Sequence, residues 1–406
     1  MPAANTQRPP VLDELVIAGA GPQALSLCCQ LLQKRPHWRR RLRVVDPSGT
    51  WLSRWEQQMQ RCEIPWLRSP SPHHPHPNPH ALRRFAQERR RSRELEGPHG
   101  LPHTSLFSAF CQSVVEEFQL VKQVQAASVQ QIHLDQAKPA SMEVRLSDGS
   151  VVRPRRLVIA TGVGVPVLPG WVHAITAGYP AEALQHSQTI DLDTCVGLRG
   201  QHILIVGGGL TSAHLAMGAL KRGAQVSLLC RRALSSKPFD ADPGWMGPKH
   251  LKSFQAEPCW HQRRQQVLAA RDGGSITPQL AVQLQQARRQ GHLQLHEHCQ
   301  VQAASWHAGQ WQILCLDGSR QPAHRLLLAT GQHQGISHHP LLRQLLDQQP
   351  IELIDDLPVL TSDLRLPGTN IHLMGSLSAL QLGPAARNLF GGREAAQRIA
   401  RAAIKA

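Results

Sequence analysis

The sequence has few of the features that mark several large protein classes. Only 4% of its residues are aromatic, and none of its nine cysteines forms a Cys-x-x-Cys pair. No apolar run approaches the ~20 residues that a membrane-spanning helix needs. The cysteine spacing predicts neither a zinc site nor a dithiol redox pair, so no metal is expected and the thiols indicate a reducing cytoplasm. These absences exclude a membrane channel and a small disulfide scaffold.

Acidic residues are also scarce, because 44 Lys and Arg face only 28 Asp and Glu and leave a formal charge of +16. Arginines concentrate at positions 39–43 and 83–93. Aromatic residues are not interleaved with them, so base stacking and nucleic-acid binding are not expected. We expect a solvated basic face, and an acidic partner surface is the alternative. With 41% hydrophobic content, 406 residues suffice for two or three domains with cores.

An internal repeat organises the chain. The pentapeptide Val-Gln-Ala-Ala-Ser occurs at 124–128 and again at 301–305. In each copy an Asp-Gly-Ser follows, at Asp148 and Asp317, and an apolar strand then ends in Ala-Thr-Gly at Gly162 and Gly331. The Asp-Gly-Ser and Ala-Thr-Gly landmarks keep the same separation in both copies. Such self-similarity predicts two structural units of one kind.

Each repeat is preceded by a glycine-rich turn between an apolar strand and a helix-compatible stretch, at 15–33 and at 203–221. The first glycine allows a tight reversal, the second lets the backbone approach a pyrophosphate, and a third small residue lets the helix pack on the strand. The phosphate then lies at the helix N-terminus. The sequence therefore predicts two dinucleotide sites, with these roles assigned to Gly19, Gly21 and Ala24, and to Gly207, Gly209 and Ser212.

The residues after the second strand of each unit indicate which nucleotide binds where. Asp46 follows the strand of the first unit, where a carboxylate accepts hydrogen bonds from a ribose and repels a 2′-phosphate. Arg231 and Arg232 stand at the matching place in the second unit, where guanidinium groups can pair with a 2′-phosphate. We therefore expect FAD or NAD, rather than NADP, in the first unit, and NADPH rather than NADH in the second. Gly162 and Gly331 are expected to let the cofactors pass close to the backbone.

With two such units, nearly the whole chain resembles the two-dinucleotide-binding flavoprotein superfamily. The resemblance implies an α/β fold of two doubly wound Rossmann-type domains, with the NADPH domain inserted into the FAD domain. The expected boundaries are 1–165 and 324–406 for the FAD domain and 166–323 for the NADPH domain. It also implies that Gly375, Gly383 and Pro384 contact FAD, with Pro384 in the first turn of a helix running to Ala402. The N-terminus of that helix would face the flavin pyrimidine.

Within the superfamily, the absence of a redox-active dithiol disfavours the disulfide reductases. Gly49-Thr-Trp51, the segment 179–187 with His186, and the segment 237–248 resemble motifs of the flavin-containing monooxygenases, which include lysine and ornithine N-hydroxylases. This resemblance implies that NADPH reduces FAD and that a flavin C4a-hydroperoxide transfers one oxygen atom from O₂ to a small amine or thioether. The candidate residues for lining the flavin or the nicotinamide are Trp51, Arg54, Met59 and His186.

Two other functions stay open at this point. One is an NADPH oxidase or electron-transfer reductase that inserts no oxygen. The other is a non-enzymatic redox or nucleotide sensor that binds a partner through its basic face. The His- and Pro-rich stretch 70–80 is interpreted as an extended loop directed towards the substrate rather than a metal site, because no carboxylate or cysteine completes a ligand shell nearby.

Overall fold

A computed structural model describes residues 13–135, 141–162, 164–176, 178–271 and 273–405. None of the helices in these ranges combines the length and the apolar character needed to cross a membrane. The α-helices are α1 (Pro22–Lys34), α2 (Ser53–Arg61), α3 (Ala81–Glu88), α4 (Thr104–Glu117), α5 (Gly170–His173), α6 (Leu210–Lys221), α7 (Pro248–Ala256), α8 (Trp260–Arg271), α9 (Pro278–Arg289), α10 (Pro340–Leu346), α11 (Ala379–Leu382) and α12 (Leu389–Lys405).

The strands comprise two parallel sheets and several short antiparallel elements. They are β1 (Leu15–Ala18), β2 (Leu42–Asp46), β3 (Leu95–Glu96), β4 (Leu101–Pro102), β5 (Val124–Ala126), β6 (Val129–Leu134), β7 (Met142–Leu146), β8 (Val151–Val152), β9 (Leu157–Ile159), β10 (Leu184–His186), β11 (His202–Val206), β12 (Gln225–Leu229), β13 (Leu293–His296), β14 (Val301–His307), β15 (Gln310–Cys315), β16 (Arg320–Ala323), β17 (Arg325–Leu328), β18 (Leu353–Ile354), β19 (Leu357–Pro358) and β20 (Ile371–Leu373).

Both five-stranded sheets are parallel, and each has a glycine-turn strand at its centre. The first sheet has the order β20-β9-β1-β2-β5, and the second has the order β10-β17-β11-β12-β13. Every residue of β1 and of β9 is buried, as strands covered by helices on both faces require. We call the elements built on these sheets the first and second units. The predicted α/β fold with two Rossmann-type sheets is confirmed.

The fold contains the repeated unit that the sequence predicts, but the repeated pentapeptide does not mark equivalent positions in the two copies. The two Asp-Gly-Ser turns have the same hydrogen bonds, because Asp148 and Asp317 each accept from the backbone and the hydroxyl of the serine two residues later. The two pentapeptides, however, are not equivalent. Residues 124–126 form β5 of the first parallel sheet, whereas 301–305 lie in β14 of an antiparallel sheet. The structural counterpart of β5 is β13.

Two features of the fold bear on the expected domain boundaries, which stay a prediction. Because β17 pairs with β10 and β11, a boundary at residue 324 would remove this strand from the second sheet, and the chain leaves that sheet only after Leu328. Residues 243–271, which include α7 and α8 and which we call the arm, also depart from the expected division. Phe254 and Val267 of the arm belong to the hydrophobic core of the first unit. A segment expected in the NADPH domain therefore packs against the other unit.

The C-terminal helix begins later than expected. Residues 383–388, which we call the C-terminal turn, are not helical, and α12 starts at Leu389, so Pro384 is not in its first turn. Side chains donate hydrogen bonds to the backbone carbonyls that would accept the intrahelical hydrogen bonds of a longer helix. Gln23 donates to the carbonyls of residues 386–388, and Arg271 donates to that of Pro384. No helix N-terminus is therefore present at Pro384 to face a flavin.

Candidate active site

The first glycine turn, Gly19–Gly21, connects β1 to α1 in a conformation that requires glycine at its first position. Gly19 has φ +100°, and a Cβ atom there would lie 2.7 Å from the carbonyl oxygen of Ala160. The Gly19 amide donates to the carbonyl of Val45, and the Ala160 amide donates to that of Ala18. The turn is thus held between the ends of β2 and β9, at the carboxyl edge of the first sheet.

The second glycine turn, Gly207–Gly209, repeats this arrangement. Gly207 has φ +148°, and a Cβ atom there would lie 2.5 Å from the carbonyl oxygen of Ala329. Its amide donates to the carbonyl of Leu229, and the Ala329 amide donates to that of Val206. In both units the alanine of Ala-Thr-Gly therefore contacts the first glycine, which explains physically why the two motifs occur together.

Two features of the first turn fit a dinucleotide. A Cβ atom on Gly21 would meet no atom within 4 Å, so the space beside the N-terminus of α1 is open to a diphosphate. Ser376, which follows β20 at the same edge of the sheet, has a buried Oγ with no hydrogen-bond partner among the described residues. A buried hydroxyl of this kind is unfavourable unless a ligand completes its hydrogen bonds. FAD, with its ribityl and phosphate oxygens, could supply that partner.

Asp46 lies beside the first turn, as the sequence predicts for a ribose-binding carboxylate. Its Oδ2 accepts from the Ala20 amide at 3.0 Å, and its Oδ1 accepts from the amide and hydroxyl of Ser48. The carboxylate therefore orders the turn and still has lone pairs for another donor. Of the other residues assigned to FAD, Ala24 is a fully buried residue of α1. The remaining three are glycines with positive φ: Gly162, Gly375 and Gly383.

The second turn has groups that suit a phosphorylated nucleotide. A Cβ atom on Gly209 would meet only the Cα of Gly274, at 3.7 Å, and Ser212 is fully buried with its Oγ donating to the Gly209 carbonyl. Arg231 and Arg232 are exposed just beyond β12. In the adjacent strand β13, His296 has a buried Nε2 without a hydrogen-bond partner among the described residues.

The two units meet where their Ala-Thr-Gly strands end. The Val167 amide donates to the Gly331 carbonyl, and the His333 amide donates to the Val165 carbonyl, both at 3.0 Å. Thr330 also donates its hydroxyl to the carbonyl of Val167. Both connections between the sheets therefore run side by side, and the carboxyl edges that carry the glycine turns adjoin this short ladder.

The four candidate catalytic residues lie in different environments. Trp51 is 7% exposed, and its indole donates to the Leu120 carbonyl, which gives it a packing role. The Arg54 guanidinium lies 3.2 Å from where a Cβ on Gly164 would be, beside the connection that leaves the first sheet. Met59 contacts the hydrophobic cores of both units. His186 is buried at the end of β10, its Nδ1 accepts from the Gln188 amide, and burial lowers its pKa. Their catalytic roles stay predictions.

A buried histidine that the sequence reasoning missed supports the Ala-Thr-Gly segment of the first unit. His339 accepts the Leu342 amide on Nδ1, so in the neutral ring the proton is on Nε2, which lies 2.9 Å from the Thr161 hydroxyl. That hydroxyl in turn donates to the Gly162 carbonyl. Burial lowers the pKa of His339, which keeps the ring neutral. The contact orders the backbone next to Gly19.

The His- and Pro-rich loop 70–80 is packed rather than extended over a cavity. His74 contacts the ring of Phe110 and the Pro79 carbonyl, and His76 contacts Glu117. Burial lowers the pKa of His74 to about 3. Among the residues that the structure describes, no three His, Cys, Asp or Glu side chains are placed to hold a metal ion. A role of this loop towards substrate stays a prediction.

Several arginines of the basic clusters have acidic partners on the protein itself. Arg43 pairs with Asp13 at 2.8 Å, and Arg91 pairs with Glu94 at 2.6 Å. Both pairs are half-buried near the surface, where such salt bridges contribute roughly 0–1 kcal/mol each to stability. These contacts reduce the charge available to an external ligand, and the acidic partner surface stays a prediction.

Sequence reasoning also missed the charged contacts between the units. Arg68 of the first unit donates to the carbonyls of Lys237 and Ser275 in the second. Asp240 pairs with Arg271 and with Arg387 of the C-terminal turn. In the sequence, only the resemblance to a family motif distinguishes the segment 237–248. Nothing in the spacing along the chain indicates that these residues meet.

Comparison with known families supports the predicted cofactors and the predicted type of enzyme. A family model described as FAD-NAD(P)-binding matches residues 16–164. A second one, described as L-lysine 6-monooxygenase/L-ornithine 5-monooxygenase, matches residues 99–331, which is more than half of the chain. Comparison with curated protein sequences finds no match.

Solved structures with the same fold include enzymes that act on three different amines. The ornithine N-hydroxylase of Kutzneria sp. 744 has a TM-score of 0.79 at 14% identity, covering 97% of this chain and 99% of its own. The L-lysine 6-monooxygenase of Pseudomonas syringae has 0.74 at 18%, covering 97% and 99%. The cadaverine monooxygenase of Erwinia amylovora has 0.77 at 16%, covering 97% and 95%. At these identities the likeness shows the fold alone.

Proposed function

Because the chain belongs to the L-lysine 6-monooxygenase/L-ornithine 5-monooxygenase family, we propose that it transfers one oxygen atom from O₂ to a small nucleophilic amine or thioether. It is an oxidoreductase that uses FAD and NADPH. The observation that carries the proposal is the pair of glycine turns at adjoining sheet edges, joined by the ladder between residues 165–167 and 331–333. Two nucleotides bound there can bring their reactive rings together in the crevice between the units.

We assign FAD to the first turn and NADPH to the second. The Gly21 cradle, Asp46 and the unpartnered Ser376 hydroxyl would bind the diphosphate and sugar oxygens of FAD. The Gly209 cradle would bind the diphosphate of NADPH, and Arg231 and Arg232 would bind its 2′-phosphate. Bound FAD supplies the hydride acceptance and the oxygen activation, chemistry that no side chain can perform. The protein orients the rings and excludes water from them.

The proposal is tested by following oxygen into product. We expect the FAD-loaded protein to consume NADPH faster with one member of a panel of ornithine, lysine, cadaverine and a thioether. With ¹⁸O₂, mass spectrometry is expected to find one labelled oxygen atom in that substrate. Hydrogen peroxide equal to the NADPH consumed with every member would instead support an oxidase, and no NADPH consumption would support a non-enzymatic sensor.

Nucleotide choice gives a separate prediction. The double variant Arg231→Ala/Arg232→Ala is expected to lose about 100-fold or more of the preference for NADPH over NADH, because it removes at least two charge-assisted hydrogen bonds to the 2′-phosphate that contribute about 1.5–3 kcal/mol each. The preference is measured as the ratio of kcat/KM values for flavin reduction with the two nucleotides. Arg289→Ala, an exposed arginine at the end of α9, serves as the matched control. An unchanged ratio in the double variant would contradict the assignment.

A further inference from the structure

Residues 273–276, which we call the strap, cross the second glycine turn. A Cβ atom on Gly274 would lie only 2.7 Å from the Cα of Gly209 and 3.3 Å from the carbonyl oxygen of Gly208. Hydrogen bonds from Ile276 to Ser235 and from Lys237 to Ile276 hold the strap in this place. The backbone of the strap therefore contacts the backbone of the second glycine turn, beside the amides that we assign to the NADPH diphosphate. A displacement of the turn is therefore expected to displace the strap.

Arg271, the last residue of α8, extends from the arm next to this strap to the C-terminal turn of the first unit. Its Nε donates to the Pro384 carbonyl at 2.9 Å, its Nη2 donates to the same oxygen, and Nη2 also lies 3.3 Å from Asn388 Oδ1. The C-terminal turn is fastened on its other side by Gln23, in the first turn of α1. Arg271 and Gln23 thus contact the same turn, and Gln23 lies in the first turn of α1, next to the proposed FAD diphosphate site.

Asp240 fixes the direction of Arg271. Its Oδ2 lies 2.7 Å from Arg271 Nη1 and 3.1 Å from Arg387 Nη2. The two guanidinium groups hold the pKa of Asp240 well below its usual range, and burial lowers the pKa of Arg271 to about 10. Both groups are therefore charged near neutral pH, and the pair has little freedom to reorient because both side chains are largely buried.

We propose that Arg271, held by Asp240, is a positioning residue that couples occupancy of the NADPH turn to the shape of the FAD-side C-terminal turn. A diphosphate at Gly207–Gly209 restrains the strap through Gly274, and the strap begins only two positions after Arg271 in the sequence. The guanidinium of Arg271 carries that restraint to the Pro384 carbonyl. This inference rests on the proposed placement of the two nucleotides, and it predicts that each nucleotide strengthens the binding of the other by the same factor.

The test measures the dissociation constant of FAD from its fluorescence, without and with saturating NADP⁺, in the full chain. In the wild type we expect NADP⁺ to tighten FAD binding by about 5-fold or more, the range typical of coupled sites. In Arg271→Gln the ratio is expected to fall to about 1, because a neutral amide pairs weakly with Asp240 and cannot donate twice to Pro384. Arg271→Lys is expected to retain an intermediate ratio, since its ammonium keeps the charge but not the planar fork.

A matched control separates the positioning role from the general effect of losing a largely buried arginine that forms an ion pair. Arg222 is also a largely buried arginine, with 24% of its side chain exposed against 18% for Arg271, and it pairs at 2.6 Å with Glu63, whose neighbours Cys62 and Ile64 lie in the core of the second unit. It touches neither the strap nor the C-terminal turn in any contact that the described residues show. Arg222→Gln is therefore expected to keep the wild-type ratio.

Several results would overturn the inference. The first is that NADP⁺ does not change the dissociation constant of FAD in the wild type. The second is that Arg271→Gln keeps the wild-type ratio of the two dissociation constants, and the third is that Arg222→Gln lowers this ratio as much as Arg271→Gln does. If Arg271→Gln does not fold, Arg271→Lys and Asp240→Asn decide, and a wild-type ratio in both would equally refute the coupling. The measurement uses oxidised nucleotide and needs neither substrate nor O₂. A protein that fails to hydroxylate any amine can therefore still show the coupling, and the two failures are distinguishable.

Discussion

Gly21→Ala is expected to give a folded protein that is purified without yellow colour. An alanine Cβ at this position meets no protein atom within 4 Å, and the φ of −79° at Gly21 is ordinary for alanine. The added methyl group instead fills the space in which a diphosphate would approach the N-terminus of α1. Loss of two charge-assisted hydrogen bonds, worth about 1.5–3 kcal/mol each, raises the dissociation constant of FAD by about 100-fold or more.

The measurement is a titration of the flavin-free protein with FAD, together with its thermal unfolding. Gly170→Ala is the control, because its Cβ also meets no atom within 4 Å but lies outside both glycine turns. We expect both variants to unfold at the wild-type temperature in the absence of FAD. If Gly21→Ala bound FAD as tightly as Gly170→Ala, the first turn would not hold the diphosphate.

Gly209→Ala is expected to retain FAD but to be reduced by NADPH about 100-fold more slowly at low nucleotide concentration, for the same reason in the second turn. Gly209 has φ −111°, and its Cβ would be in ordinary contact with Gly274, so alanine fits without strain. Rapid mixing with NADPH under anaerobic conditions, followed through the flavin absorbance, gives the second-order rate constant.

Each glycine variant is the control for the other. Gly21→Ala loses the flavin on which the assay depends, whereas Gly209→Ala keeps it and fails only at reduction. Photochemical reduction of Gly209→Ala is expected to proceed at the wild-type rate, because it does not use the nucleotide. Equal loss of FAD in both variants would show that the two turns do not bind separate nucleotides.

The parts of the fold that could be predicted are those encoded in a few consecutive residues. The helix predicted at 210–221 coincides with α6, and the stretch predicted from Gln23 lies within α1. The first glycines could be identified because a strand, a reversal and a helix follow one another within one short segment. Asp46 was found in the same way, since it directly ends β2.

The errors arose where distant parts of the chain decide the local structure. Nothing near Pro384 indicates that Arg271 and Gln23 occupy the carbonyls a helix would need, so the start of α12 was placed too early. Phe254 joins the core of the first unit through contacts of α7 with α11, which lies more than a hundred residues later in the sequence. The repeated pentapeptide was misread because identical side chains suit either a parallel or an antiparallel edge strand.

The short ladder between residues 165–167 and 331–333 brings the two connections of the second unit side by side, so we expect this unit to be exchangeable between relatives. Antiparallel partners of this kind have Cα atoms about 4.5–5.5 Å apart, so the chain could be rejoined across the gap with one or two residues. The corresponding unit of a relative could be joined to the first unit at this ladder without a long linker. The arm sets the condition for such a chimera, because its α7 and α8 must bring side chains that complete the recipient's core.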